Sequence, residues 1–243
     1  MNIENPIRYF PYGRTAILIE WKQELNLDTN RLIHALSRKL ISLEPVEETV
    51  PAYSSLLVIL NNHIQDWEGA VQHLSDLWED LKEQKVDVLP HRTIHLPICY
   101  DPRFALDLPL YHQKGITTEQ LIELHSSRLY HVYMIGFLPG FPYMGSVHPD
   151  LILPRLNTPR EKIQRGSCGI ADQLTGIYPQ DSPGGWNIIG RTPIPLFDMN
   201  KSVPSLIQPG DTIDYYAIDE EEYFYIKHEV HQGRYDPSIH IEL

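Results

Sequence analysis

The sequence of 243 residues predicts an α+β protein with two domains, residues 1–90 and 91–243. Two observations support this prediction. In the first hundred residues, strand-like segments alternate with two amphipathic helical patterns in the order β-α-β-β-α-β, which is typical of a ferredoxin-like sheet with both helices on one face. From residue 137 onward, short β-type segments are separated by dense Gly and Pro turns, a pattern that favours a closed or nearly closed barrel.

The N-terminal elements follow from hydrophobic periodicity and from capping residues. Asp28 is predicted to cap a helix that runs to about Leu43, and Asp66 to cap a second that runs to about Lys85. The polar stretch 101–114, with two prolines, is a second plausible domain boundary. Apolar and β-branched segments predict strands at Ile7–Trp21 (with a turn at Pro11–Gly13), Val46–Val50, Tyr53–Leu60 and Arg92–Tyr100, the last completing the ferredoxin-like pattern.

The second half contains two predicted helices and a series of short strands. Thr117 and Gln120 have the spacing of a capping box, so a short helix is predicted to begin there. A C-terminal helix is predicted from Asp219 to His231, because its four leading acids suit the positive end of the helix dipole. Strands are predicted at Val132–Ile135, Gly169–Ala171, Gly176–Tyr178, Trp186–Ile189, Pro193–Phe197 and Thr212–Ile218.

Composition excludes several classes of function. The net charge of −12 argues against nucleic acid or an anionic membrane as the main partner, since both require a basic patch. No apolar run approaches the roughly 20 residues of a membrane span, and the N-terminus lacks the pattern of a secretory signal. Cys99 and Cys168 are too few for a disulfide framework, so a cytoplasmic protein is expected.

The segment from Phe137 to Asp198 is the predicted working surface. Gly and Pro are frequent in it, yet large apolar residues such as Phe141, Tyr178 and Trp186 lie between them. These side chains need a core in which to be buried, so the segment is predicted to be ordered rather than a flexible linker. Ordered loops on a rigid scaffold are where binding and catalysis concentrate.

Four arginines stand out in this segment of an acidic protein, Arg155, Arg160, Arg165 and Arg191, because planar guanidinium groups bind carboxylate or phosphate. Arg155 and Arg160 each follow a proline, and Arg191 lies in the turn sequence GRTP, so stiff backbone could aim these three at one anion. Salt bridges to the many acidic residues are the alternative for each arginine. Turns at Gly166-Ser167 and Ser182–Gly185 offer backbone N–H groups for an oxyanion, although ordinary hairpin turns would have the same sequence.

His125 is the predicted proton donor or ligand contact, because it lies on the apolar face of a helix and could titrate near neutral pH. The alternative is a core histidine that is hydrogen-bonded to the backbone. The pairs His91/His95 and His228/His231 have spacings that a metal could use, but no matching Cys or acidic set accompanies them, so no metal is predicted. The sequence contains neither a Walker A pattern nor a G-x-S-x-G elbow.

Five motifs carry a resemblance to a known family: FLPGFPYMG, LPR-x3-PR, GS-x-GIA, QLTGIYP and SPGGWNIIGRTP-x2-LFD. With these motifs the chain resembles the KipI/PxpB family, over nearly its whole length. The resemblance implies a small α+β domain followed by a cyclophilin-like β-barrel. Two positions depart from the family pattern: Ala171-Asp172 stands where Ala-Gly is usual, and Ile163-Gln164 where Val-Pro is common.

The resemblance implies the function of the B subunit of an ATP-dependent 5-oxoprolinase, which converts 5-oxo-L-proline to L-glutamate. The expected partners are PxpC-like and PxpA-like subunits, and ATP is expected to be bound by the complex. Two alternatives stay open, because the family also contains KipI-type inhibitors of sensor histidine kinases and is related to domains of urea and allophanate systems. A histidine kinase is therefore a second expected partner.

The resemblance and the residue patterns together assign the candidate site. The expected catalytic residues are His125, Arg155, Arg160 and Arg191. The expected substrate- or anion-binding residues are Gly140, Gly166, Ser167, Gln173, Thr175, Ser182, Gly184, Gly185, Trp186 and Thr192.

Overall fold

A computed structural model describes residues 3–6, 8–84 and 92–242 of the chain. It divides the chain into two compact units, residues 1–90 and 91–243, which are treated separately below. The predicted helix end at Lys85 and the junction at residues 90 and 91 lie outside the described residues. In the described ranges, none of the helices combines the length and the apolar character that crossing a membrane requires.

The first unit is a four-stranded antiparallel sheet with two helices. Its strand order is β1-β2-β4-β3, and the sheet is antiparallel throughout. The elements along the chain are β1 Arg8–Pro11, β2 Ala16–Glu20, α1 Leu27–Leu40, β3 Val46–Pro51, β4 Ser55–Leu60 and α2 Trp67–Glu83.

Both helices of this unit bury one apolar face in a common core with the sheet. Ile17 and Ile19 of β2 contribute to this core, together with Ile33 of α1 and Trp78 of α2, whose ring centroid lies 4.8 Å from that of Trp21. Asp66 caps α2, as predicted, by accepting a hydrogen bond from the amide of Gly69. The cap of α1 is Asn26 rather than Asp28, which lies in the first turn and favours the helix through its charge.

The predicted ferredoxin-like arrangement of six elements is not confirmed, because its last strand belongs to the other unit. That strand, β5 Thr93–Cys99, pairs in parallel with β13 Thr212–Ile218 along all seven of its residues. The hairpin strand β1 instead occupies the edge beside β2. Strand propensity identified the segment, but pairing with a partner over a hundred residues away decided its sheet.

The second unit is a closed barrel of seven strands in the order β5-β12-β9-β10-β7-β6-β13, with β13 returning to β5. The α+β class is therefore confirmed, with a barrel in the second unit as predicted. A short strand β14 Ile241–Glu242 adds to β5, and β8 pairs with β11 in a separate ribbon. The remaining barrel and ribbon strands are β6 Leu129–Ile135, β7 Pro142–Gly145, β8 Arg160–Ile163, β9 Ser167–Ala171, β10 Leu174–Ile177, β11 Ser182–Gly184 and β12 Asn187–Arg191.

Three short helices surround the barrel. The capping box of α4 Thr118–Ser126 is present as predicted, with Thr117 and Gln120 each bonding the backbone of the other. The C-terminal helix α5 Glu220–His231 begins at the predicted cap, Asp219. The third helix, α3 Leu108–Gln113, lies in the polar stretch that was interpreted as a possible boundary.

The predicted strand Pro193–Phe197 is wrong. Two prolines within five residues remove amide donors from any ladder, and only Phe197 forms a single bridge, with Ser205. The chain therefore leaves β12 at Arg191 and continues outside the sheet through buried Thr192 and Ile194. The end of β12 borders the site described next.

Candidate functional site: a cationic cleft at one end of the barrel

The structure does not bring the three predicted catalytic arginines together. Arg191 ends β12 and is paired with Ser167 of β9. Arg155 lies near the other end of that strand, where its Nε is 3.8 Å from the position that a Cβ on Gly185 would occupy. Gly185 and Arg191 are six residues apart, which corresponds to roughly 20 Å of extended chain. The prediction of one pocket shared by these arginines is therefore wrong for Arg155.

Arg191 instead lies in a cleft between the end of β12 and helix α5. The cleft encloses about 190 Å³. Its cations are Arg165, Arg191 and Lys227, with His231 beside them, and this grouping is the candidate functional site, called the cationic cleft here. The other lining residues are Gly166, Thr192, Pro193, Ile194, Tyr223 and Val230.

The guanidinium of Arg191 is held in place before any ligand arrives. Its Nε donates to the carbonyl oxygen of Arg165 at 2.7 Å, and its Nη1 donates to Oε1 of Gln164. On another side the guanidinium lies 5.9 Å from the ring centroid of Phe104. Because these contacts fix the planar group, it binds an anion with little further loss of side-chain entropy.

Gly166 allows the backbone to form the floor of the cleft. Its φ is +84°, and a Cβ at this position would lie 2.4 Å from the carbonyl oxygen of Thr192. The amide of Thr192 donates to the carbonyl of Gly166 at 2.9 Å, so the two turns lie in direct contact. Only glycine combines this conformation with so close an approach of two backbones.

The predicted backbone oxyanion nest at this turn is wrong, because its amides are already used. The amide of Gly166 donates to Tyr178 O at 2.7 Å, that of Ser167 to Gln164 O at 3.1 Å, and that of Thr192 to Gly166 O. Any anion in the cleft would therefore be bound by side chains rather than by these N–H groups.

The cleft carries positive charge in a protein whose net charge is −12. Lys227 Nζ lies 5.9 Å from the ring centroid of Tyr223, and burial raises the pKa of the Tyr223 phenol although the nearby Arg191 charge opposes the shift. The carboxylate of Asp181 lies nearby and accepts a hydrogen bond from the backbone amide of Arg165. It also forms an ion pair of 2.8 Å with Lys162. The Lys162 ion pair is the main reason that the pKa of Asp181 is lowered.

The size and charge of the cleft indicate the kind of ligand it suits. Pockets for drug-sized ligands enclose roughly 300–1,000 Å³, so this cleft is small by comparison. A carboxylate or a single phosphoryl group fits its volume and its guanidinium groups, whereas a whole nucleotide does not.

Arg160 lies away from the cleft and forms part of a structural clasp. Its Nη2 donates to Asp107 Oδ1 at 2.7 Å, and Asp107 Oδ2 accepts from the Ile188 amide at 2.5 Å. The Asp107 amide in turn donates to Ile188 O at 2.9 Å. The pairing of β12 with β5 that closes the barrel consists of one residue pair, Arg191 with Cys99. Asp107 therefore supplies hydrogen-bond partners to Ile188, which lies on β12 beyond that pair.

Sequence reasoning missed Asp107, which lies in the stretch interpreted as a possible boundary. Its side chain is only 6 % exposed, whereas that of Arg160 is 29 % exposed. Arg160 was predicted as a catalytic residue, but its contact with a buried carboxylate assigns it to the architecture of the barrel, the salt-bridge alternative considered for each arginine. No local sequence signal identifies this pair, because it joins residues 53 positions apart.

His125 is sealed inside the barrel rather than placed at a surface. Its exposed fraction is 0 %, and its ring stacks 4.7 Å from that of Tyr215. Its Nδ1 lies 2.8 Å from the Tyr100 hydroxyl and its Nε2 lies 3.1 Å from the Thr175 hydroxyl. The partners are side chains, not the backbone groups expected of a satisfied core histidine.

Proton positions in this buried network follow from one bond. The Thr175 hydroxyl donates to Gly169 O at 3.1 Å, so it accepts from Nε2–H of His125, and Nδ1 then accepts from Tyr100. Burial lowers the pKa of His125 to about 3 and raises the pKa of Cys168 to about 12. The prediction of a histidine that titrates near neutral pH is therefore wrong, and His125 and Thr175 belong to the barrel interior.

The other predicted ligand residues surround an outer aromatic cluster, defined as Phe141, Tyr143, Tyr178 and Trp186. The rings of Phe141 and Trp186 are 5.4 Å apart at an angle of 84°. A Cβ on Gly184 would lie 2.3 Å from the Tyr178 hydroxyl, and one on Gly140 would lie 2.9 Å from Phe197 Cβ, so both glycines permit close packing. Ser182 is buried nearby and donates to Pro183 O.

Gln173 lies apart from both groups, at the turn between β9 and β10. It is exposed, and its carbonyl accepts from the Val147 amide at 3.0 Å. The preceding residue Asp172 has φ of +52°, a left-handed conformation that explains why glycine is usual at this family position. Among the described residues no group of three or more His, Cys, Asp or Glu could hold a metal ion, and His91 lies outside that part of the chain.

Comparison with known proteins places the chain in a family. Residues 7–207 match the carboxyltransferase domain, subdomain C and D. The matched region contains Arg165 and Arg191 but ends before α5, which supplies the opposite wall of the cationic cleft.

Two curated relatives cover most of the chain. The 5-oxoprolinase B subunit of Bacillus subtilis is 33 % identical over 230 residues, which are 89 % of this chain and 95 % of that protein. The 5-oxoprolinase B subunit of Haemophilus influenzae is 38 % identical over 208 residues, which are 84 % of this chain and 95 % of that protein.

A solved structure, that of TTHA0988, matches with a TM-score of 0.71 at 28 % identity, over 85 % of this chain. This chain spans only 40 % of the length of that protein. The relatives confirm the resemblance found in the Phe137–Asp198 motifs. The chain belongs to the family of the carboxyltransferase domain, subdomain C and D, together with 5-oxoprolinase B subunits.

Proposed function

We propose that this chain is the B subunit of an ATP-dependent 5-oxoprolinase, which opens 5-oxo-L-proline to L-glutamate. The observation that carries the proposal is the identity of 33 % and 38 % to two 5-oxoprolinase B subunits, each matched over 95 % of its length. The cationic cleft adds a chemical reason, because both the substrate and the transferred group of such a reaction are anions.

The chemistry requires activation of an unreactive ring amide. The lactam oxygen attacks the γ-phosphorus of ATP, ADP leaves, and the ring nitrogen gives up its proton. Water then adds to the phosphorylated carbon, the C–N bond breaks as the nitrogen takes up protons, and a second water hydrolyses the resulting acyl phosphate to glutamate and phosphate. Charge therefore develops on phosphoryl oxygens, where fixed cations stabilise it.

In this proposal Arg191 binds the substrate carboxylate or the phosphoryl group, with Arg165 and Lys227 as additional charges. Arg191 suits the role because its guanidinium is already held by Arg165 O, Gln164 and Phe104. Such preorganised donors lower the barrier without any reorganisation at the moment of reaction. Arg155, at the other end of β12, contributes to another surface.

The cleft is too small for ATP, so the nucleotide is bound with the help of other chains. The proposal assigns these chains to PxpA-like and PxpC-like subunits. Two facts support a shared site: the relatives are named as subunits, and TTHA0988 is a longer chain of which this one matches 40 %. An ATP-dependent complex would work in the cytoplasm. As part of the same proposal, the seven-strand barrel is assigned to the cyclophilin-like type.

Reconstitution with the partner subunits tests the function. ATP-dependent glutamate formation from 5-oxoproline should require this chain together with the A and C subunits. Full activity of A and C without it would refute the proposal. The KipI-type alternative predicts instead that the chain inhibits autophosphorylation of a histidine kinase, and the urea or allophanate alternative predicts dependence on a biotin-carrying partner, so both assays are run beside the first.

A further inference from the structure

The loop Gly136–Gly140 exposes an aromatic side chain from a strained backbone. Phe137 has φ of +63°, a left-handed conformation that a bulky residue rarely adopts, and its exposed fraction is 61 %. Backbone strain of this kind persists only where the surrounding structure enforces it, and it is found at functional sites. Because most of the Phe137 ring is exposed, its burial in the core of this chain does not explain why the strained backbone is kept.

The surrounding loop is rigid. The amide of Gly136 donates a hydrogen bond of 3.1 Å to the carbonyl oxygen of Phe141. Within the loop, the Leu138 amide donates to Gly136 O and the Phe141 amide donates to Leu138 O. Gly140, with φ of +80°, rests against Phe197 so closely that a Cβ would lie 2.9 Å from that side chain. Phe137 is therefore presented in one position, which lowers the entropy lost on binding.

Beneath the loop lies the outer aromatic cluster. The Phe137 ring stands at 90° to that of Phe141, with centroids 5.7 Å apart, and Phe141 contacts Tyr143 at 5.0 Å. The exposed ring thus continues a buried apolar group instead of projecting alone into solvent. Rigid aromatic residues on such a base are typical of the centre of a protein interface.

Arg155 gives this surface a charge. It is exposed, it makes no hydrogen bond or ion pair with any residue in the described ranges, and its charge acts on the phenols of Tyr143 and Tyr178. Other exposed arginines of the same unit differ in this respect: Arg103 and Arg234 each pair with an acidic neighbour, whereas Arg165 of the cationic cleft makes no side-chain ion pair in the described ranges. An arginine without a partner beside exposed aromatic surface complements a carboxylate on another protein.

We propose that Phe137 is the anchor by which this chain binds another subunit of its complex, inserting into an apolar pocket that is bordered by a carboxylate facing Arg155. The inference rests on the proposed function, because the partner is taken to be a subunit of the same enzyme. Its surface is distinct from the cationic cleft, which lies at the opposite end of β12.

Three variants of the full-length chain test the anchor against the purified A and C subunits, each used in turn. Phe137→Ala should raise the dissociation constant for one of the two subunits at least ~30-fold, the loss typical of an interface hot spot. Phe137→Gly should weaken it equally while leaving the melting temperature unchanged or higher, because glycine relieves the strain. Leu129→Ala, whose side chain is 62 % exposed on β6, is the matched control and should bind normally.

Arg155→Glu should weaken the same interaction and reverse its dependence on salt. Unchanged affinity of Phe137→Ala and Phe137→Gly would overturn the anchor while leaving the proposed function intact. Loss of a dimer of this chain on Phe137→Ala, seen by sedimentation, would also overturn it, because the partner would then be a second copy. If the wild-type chain binds neither subunit, the anchor and the proposed function both fail.

Discussion

The cationic cleft and the interior of the same barrel both contain polar side chains that sequence analysis assigned to the site, but their surroundings differ. In the interior, His125, Tyr100 and Thr175 form a closed chain of hydrogen bonds, and burial keeps the imidazole neutral. In the cleft, Arg191 and Lys227 lie at the edge of solvent, and Arg191 is fixed by neighbours that leave it accessible. Burial therefore decides which polar residues of the Phe137–Asp198 segment and its neighbours specify the fold and which can bind an anion.

Gly166→Ala should produce the largest loss of stability among these variants. The left-handed conformation and the clash with the Thr192 carbonyl together should lower the free energy of unfolding by about 3 kcal/mol or more, measured by urea denaturation. Gly210→Ala is the matched control, since Gly210 has φ of +92° but no atom within 4 Å of the added Cβ. Its cost should be only that of the backbone strain, about 1 kcal/mol. Equal losses of unfolding free energy for the two variants would show that the contact between Gly166 and the Thr192 carbonyl does not contribute to the cost of Gly166→Ala.

Asp107→Ala should come next, because it leaves Arg160 without its partner and the Ile188 amide without its acceptor. We expect a loss of about 3 kcal/mol in the free energy of unfolding. Asp107→Asn keeps one acceptor and should cost roughly half as much. A double-mutant cycle with Arg160→Met measures the coupling, and a value near zero would contradict the clasp.

His125 makes stability depend on pH in a defined direction. Its pKa is about 3 in the folded chain and near 6.5 when unfolded, so the unfolded state binds more protons between these values. Stability from this group is complete above pH 6.5 and is lost as pH falls, by about 2 kcal/mol between pH 7 and pH 5. His125→Gln removes the titration and should flatten that part of the profile. An unchanged slope in the variant would show that other groups cause it.

Lys227→Ala should have the smallest effect. The lysine is exposed, so its Coulomb interaction with a bound anion is screened and should contribute about 1 kcal/mol or less. In the reconstituted complex we expect KM for 5-oxoproline to rise up to about fivefold with little change in kcat. Lys201→Ala, an exposed lysine outside the cleft, serves as the control and should leave both constants unchanged. A kcat loss of about a hundredfold for Lys227→Ala would assign this lysine a larger role.

Sequence reasoning succeeded where the signal was local. The capping box at Thr117, the cap at Asp66 and most barrel strands follow from neighbouring residues and were predicted correctly. It failed where distant partners decide the outcome. β5 joined the barrel because β13 pairs with it over seven residues, and Arg160 is bound by Asp107, 53 residues away.

The candidate site shows the same limit. Arg191, Gly166 and Thr192 were predicted together and do lie together, because β9 and β12 are paired at Ser167 and Arg191. Lys227 and His231 were not connected with them, since the contact of α5 with the end of β12 is a tertiary one. His125 has the polar side chain that catalysis often uses, and only its zero exposure shows that this side chain is part of the core.

The most direct test of the cationic cleft is the turnover of 5-oxoproline by the reconstituted complex carrying Arg191→Ala. We predict that kcat falls about a hundredfold or more while the complex still assembles, because a fixed charge on the reacting anion is removed. Arg38→Ala, on α1 of the first unit, is assayed beside it and should keep full turnover. A kcat for Arg191→Ala within about threefold of the wild-type value, in an assembled complex, would contradict the assignment of the cleft.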